Sequence, residues 1–147
     1  MLAVVFATIG FFALAVFGLG ALSVVTDSDI IATPGLGQGP GIGGMLAAVV
    51  AFAVLLWFVV RRPTASFVSA VVIALAVALA HLAVVWMTVT GVAASALLAT
   101  AVAGDLVRGG ASAVVLIAAL IGAWAGVAVR RTRARHLRWP WERDDAE

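Results

Sequence analysis

The chain has no cysteine, no lysine and no tyrosine. Without cysteine there is no disulfide, no thiolate zinc site, no thiol nucleophile and no covalent haem attachment. Without lysine there is no Schiff-base chemistry and no phosphate-binding P-loop of the usual kind. Charge is scarce as well. Only 11% of the 147 residues are acidic or basic, where soluble domains carry about 25%. What replaces them is apolar: 65% of the residues are hydrophobic, led by 32 alanines and 24 valines, and the mean hydropathy is +1.21. This composition excludes an ordinary soluble domain and describes an integral membrane protein. Alanine and arginine abundance with no lysine points to a GC-rich, bacterial genome.

A helix crosses a hydrocarbon core of about 30 Å with about 20 apolar residues. Four charge-free runs meet that length: 2–25, 42–60, 65–89 and 111–129. A membrane barrel would need alternating polarity over about ten residues per strand, and no segment alternates in that way. The expected fold is therefore all-α, with four transmembrane helices in an up-and-down bundle. Residues 1–129 form the membrane domain and 130–147 a tail, arginine-rich and then acidic. The first apolar run has no basic residue before it and exceeds a signal peptide's 7–15-residue core, so it is read as a retained span.

The 41 residues from Thr64 to Gly104 could make about 60 Å of helix, enough for two crossings. A fifth crossing would put Arg61 and Arg62 on the opposite side from the arginines that begin at Arg130. Four spans keep eight arginines on one side and leave only Arg108 on the other, with Asp27, Asp29 and Asp105. The positive-inside rule selects four spans, with both termini cytoplasmic. Residues 90–110 then form an outer connection punctuated by Gly91, Gly104, Gly109 and Gly110. Within it, 92–103 reads as a short apolar helix that lies on the membrane, re-enters it or extends the third span. The other outer loop, 26–41, is rich in glycine and holds Pro34 and Pro40, so it is expected to be irregular.

His81 is the one ionisable side chain inside a predicted span, a candidate functional position because its nitrogens need partners; the structural alternative is a neutral imidazole hydrogen-bonded within the bundle. Helical spacing puts it on a face with Ala70, Ala74, Ala78, Val85 and Thr88, a face small enough to pack closely on another helix. No second intramembrane His, Asp or Glu accompanies it, so no metal or haem site is assembled. The fourth span carries a small-residue ladder, Ala118, Gly122 and Gly126, which is read as a helix-packing seam within the bundle or to a partner.

Gly39-Pro40-Gly41-Ile42-Gly43-Gly44 matches a dinucleotide-loop spacing but follows no strand and precedes no suitably placed acid, so it carries no nucleotide chemistry. Asp27 and Asp29 are explained as a hydrated acidic loop. Arg61, Arg62, Arg130, Arg131, Arg133 and Arg135 are expected to contact lipid headgroups, at about 1 kcal/mol each. Trp57, Trp86, Trp124, Trp139 and Trp141 fall where an interfacial belt would lie. The basic stretch is short and tethered to the membrane, so nucleic acid is not an expected partner.

No acid–base or nucleophilic constellation gathers on one side of the membrane. The expectation is a small, non-catalytic, multi-pass protein of the bacterial cytoplasmic membrane that holds no cofactor. It would act as an accessory or structural subunit, through a membrane-protein partner or self-association. The alternative is a small-solute or ion pathway, for protons above all, formed by a homo-oligomer with His81 on its lining.

Overall fold

The structure is a computed structural model that describes residues 2–27, 29–31, 33, 35–62 and 66–134, without the side chains of 133 and 134. Arg135, the rest of the tail to residue 147 and the side chain of Arg133 lie outside the described residues. Five helices follow one another: α1 (Leu2–Thr26), α2 (Gly39–Arg61), α3 (Val68–Ala93), α4 (Ala96–Arg108) and α5 (Ala111–Ala134). Four of them are long and apolar enough to cross a membrane, namely α1, α2, α3 and residues 111–132 of α5.

Local chemistry explains where they start and stop. Proline lacks an N–H and has a helical φ, and α2 begins with Gly39 and Pro40. It ends at Arg61, where Arg62 turns extended (ψ 144°) ahead of Pro63, as a residue before proline prefers. Relative to the sequence expectation, α2 begins three residues earlier than 42 and α5 runs five residues beyond 129.

The spans form a ring in which α2 packs on α3, α3 on α5 and α5 on α1, while α1 and α2 touch only lightly. Ring neighbours run antiparallel. Along α1 and α5, for example, Gly18 faces Val114 and Leu22 faces Gly110, while Ala7 faces Gly126 at the far end. Between the helices Phe11 and Phe52 stack, with ring centroids 4.6 Å apart and planes inclined by 17°. Both are fully buried, among Leu56, Ile73, Val77, Val115, Ala119 and Ala123. Lipid is as apolar as these side chains, so close van der Waals packing holds such a core together, more than any escape from water.

The connection 90–110 resolves differently from a helix over 92–103. α3 continues to Ala93, and Ala94 then breaks it with a left-handed backbone (φ 49°). Ser95 caps α4, its side chain accepting a hydrogen bond from the Leu98 N–H at 3.2 Å. α4 then folds back along α3. Trp86 donates from Nε1 to Thr100 Oγ at 3.1 Å, and Ala99, Val102 and Leu106 are buried in one cluster with Val85 and Val89. The segment therefore extends α3 and also returns beside it. Gly91 and Gly104 lie inside helices with nothing opposite them, whereas Gly110 (φ +88°) makes the turn into α5.

Candidate functional site

The two ends of the bundle differ in chemistry. At one end, α2 and α5 finish and α3 begins, which brings Arg61, Arg62, Arg130 and Arg131 to the same end. The Arg61 guanidinium sits over the Trp57 ring, 4.2 Å from its centroid. Arg131 sits 4.4 Å from the centroid of Phe67, which in turn stacks on Trp124 at 6.0 Å. Arg130 is committed inward, because its Nη1 donates to the carbonyl of Val60 at the last turn of α2. That bond satisfies one of the carbonyls a helix end leaves over. It also gives Arg130 a structural task besides any headgroup contact.

Halfway along, the ladder on α5 faces inward. A β-carbon on Gly122 would lie 3.1 Å from Phe52 Cζ, 3.2 Å from Phe11 Cβ and 3.4 Å from the Ala7 carbonyl. One on Gly126 would lie 3.0 Å from Leu56 Cδ2 and 3.3 Å from Ala7 Cβ. Ala118 is buried in the same core. The seam thus seats α5 against α1 and α2 within this chain.

His81 lies nearer the opposite end. Ala70, Ala74, Ala78, His81 and Val85 are all buried, and Thr88 is half-buried. The imidazole is 4% exposed. Its Cδ2–Nε2 edge lies against Gly44 of α2, where a β-carbon would come within 3.0 Å of Cδ2 and 3.2 Å of Nε2. Its Nδ1, on the other edge, is buried without a hydrogen-bond partner. That state is unusual, since a buried polar atom left unpaired costs roughly 1–3 kcal/mol. Four threonine hydroxyls in the spans are satisfied locally. Thr8, Thr88, Thr90 and Thr132 each donate to a carbonyl one turn back on their own helix. Among the described residues, only His81 Nδ1 and Ser112 Oγ are buried side-chain atoms without a partner.

His81 also lines a groove of about 780 Å³ at the loose edge of the ring, between α1 and α2. Phe12, Val16 and Leu19 supply one wall, with Ile42, Met45 and Leu46 opposite. The segment between α1 and α2 roofs it with Asp29, Ile30, Ile31, Thr33, Gly37 and Gln38. Phe12, Val16, Ile42 and Leu46 are about half-exposed, so the groove opens sideways, toward what would be the bilayer. A smaller cavity of about 500 Å³ lies on the other side of the same loop and is bordered by Thr26, Asp29, Thr33 and Asp105. Among the described residues no group of three His, Cys, Asp or Glu side chains is placed to hold a metal ion.

His81 was visible in the sequence as a lone ionisable residue in a span. The groove was not, because its lining joins residues between Phe12 and Leu46 to His81 and Leu106, far along the chain. No protein-family model matches the sequence, and no curated protein or solved structure matches it.

Proposed function

We propose that this is a small, non-catalytic integral membrane protein that serves as an accessory or structural subunit of a larger membrane complex. The setting is a bacterial cytoplasmic membrane, with the arginine end of the bundle and both termini on the cytoplasmic side. Exposed apolar surface alone does not argue for a protein partner, because lipid covers it equally well. The support is a particular face of α1. Ala3, Phe6, Gly10, Ala13, Phe17 and Gly20 recur at alternating spacings of three and four, so they align on one stripe. Phe6 and Phe17 are 69% and 76% exposed, and a β-carbon on Gly10 or Gly20 would meet nothing within 4 Å. Small residues between the two phenylalanines and beyond them let a neighbouring backbone approach while the rings fill the gaps. Membrane helices pair in this way, and the bundle leaves Phe6, Ala13, Phe17 and Gly20 of this stripe exposed.

The test is affinity purification of the tagged full chain at native expression after gentle solubilisation, beside a Gly10→Leu/Gly20→Leu variant. Stoichiometric larger membrane proteins that co-purify with the wild type and are lost from the variant are the expected result. Recovery of the chain alone would overturn the proposal. A discrete homo-oligomer would shift the reading to the pathway alternative, whose support is His81. The filled core around Phe11 and Phe52 weighs against an ion path through a single bundle. Proton flux in liposomes that is abolished by His81→Ala would restore it.

A further inference from the structure

The groove between α1 and α2 has the dimensions and lining of a ligand site, and we propose that it binds a membrane-borne amphiphile with an uncharged head whose oxygens accept hydrogen bonds. Small-molecule sites run from about 300 to 1,000 Å³, mostly apolar with a few placed polar groups. The groove, at about 780 Å³, lies within that range. Its apolar walls and sideways opening suit a hydrocarbon body that arrives from the bilayer.

The head is specified by three features. The first is the His81 imidazole, which lines the groove and offers one donor and one acceptor when neutral. The second is the start of α2. Gln38 makes no side-chain cap there and the first turn holds no acid, so the N–H groups of Gly39 and Gly41 have no acceptor within the helix. They favour an oxygen acceptor and, with the helix dipole, disfavour a cationic head. The third is Asp29 on the roof, whose carboxylate disfavours an anionic head. Gln38 and His81 are separated by about six residues of α2, because His81 sits level with Gly44. Polar contacts therefore lie at two depths, about 9 Å apart at 1.5 Å per residue. A head with two oxygen functions, such as a quinone ring or a glyceryl ester, can meet both.

The test uses the full chain in lipid nanodiscs. Native mass spectrometry would follow titration with decylubiquinone and with dioctanoylglycerol, two neutral probes of different origin, and with dioctanoyl phosphatidylglycerol as the anionic comparison. The expected result is one-to-one retention of at least one neutral probe, in preference to the anionic one. Whichever neutral probe is held identifies the source. His81→Leu should weaken retention about tenfold, the scale of one lost hydrogen bond in a buried site. Val16→Trp and Leu46→Trp fill the groove from its exposed walls, leave His81 in place, and should abolish retention even where His81→Leu fails to fold. The proposal is overturned if no neutral probe is retained, if the anionic lipid binds as well, or if retention is indifferent to these variants. It is equally overturned if a photocrosslinker at Leu46 captures a protein helix in place of lipid. None of these outcomes bears on the α1 stripe.

Discussion

Gly44 and His81 occupy space that only one of them can extend into: a β-carbon on Gly44 would stand 3.0 Å from His81 Cδ2, and 2.6 Å from Val85 Cγ2. α2 therefore reaches α3 at this level as bare backbone, and the imidazole is held by the absence of a side chain. Gly44→Ala should overpack the contact and cost about 1–3 kcal/mol, seen as a lower unfolding midpoint in detergent. Gly43→Ala is the internal control. Its β-carbon would meet Thr88 and Val84 at 3.6 and 3.8 Å, ordinary contacts, so its midpoint should be unchanged or slightly raised.

The two glycines of the α5 seam should rank differently. On Gly122 a methyl group would press on the Phe11 β-carbon and the Ala7 carbonyl as well as the Phe52 ring. On Gly126 the nearest atoms are the terminal methyls of Leu56, which can turn aside. Gly122→Ala is expected to destabilise by about 1–3 kcal/mol and Gly126→Ala by less. Gly10→Ala, with nothing opposite it, should be neutral. Equal losses at 122 and 126 would mean that the α1–α5 spacing is looser than described.

Removal of the Trp86–Thr100 hydrogen bond should loosen α4 before anything else. Trp86→Phe and Thr100→Val are each expected to cost about 0.5–1.5 kcal/mol, and the double variant little more than Thr100→Val, which deletes the shared bond together with the hydroxyl's own bond to the Ala96 carbonyl. Hydrogen exchange provides the local readout. Amides of α4 should exchange faster while those at the α1–α5 contact keep their protection.

Cysteine accessibility in intact cells separates four spans from five. Single cysteines at Ser66 and Thr132 should be labelled from one side of the membrane and a cysteine at Gly37 from the other. Labelling of Ser66 and Thr132 from opposite sides would require a fifth crossing.

The spans were legible because a charge-free apolar run of this length has few other uses, and the arginines at 61, 62, 130 and 131 mark where the runs stop. The turn at Ala94 was not legible. Glycine is the usual left-handed residue at a helix end, so Gly91 and Gly104 drew attention, yet both continue their helices and an alanine makes the turn. Ser95 did carry a usable signal, since serine before an apolar run is a common N-cap. Its weakness lay in competing with an apolar stretch that reads as helix throughout. The α5 ladder announced close packing but not its partner, because a small residue permits approach from any helix. Arg130 was hidden for the opposite reason: a long basic side chain near a membrane surface has an adequate explanation in lipid, and only geometry aims it at the Val60 carbonyl.

The ring order has a consequence for biosynthesis. α1 rests mainly on α5, and only lightly on the α2 that follows it in the chain. α1 leaves the ribosome before α5 and thus waits for it before its own buried side chains, Val4, Ala7, Phe11 and Ala15, find their places. Until then it stands in lipid or against the insertion machinery, and completion of the bundle is timed by the emergence of α5.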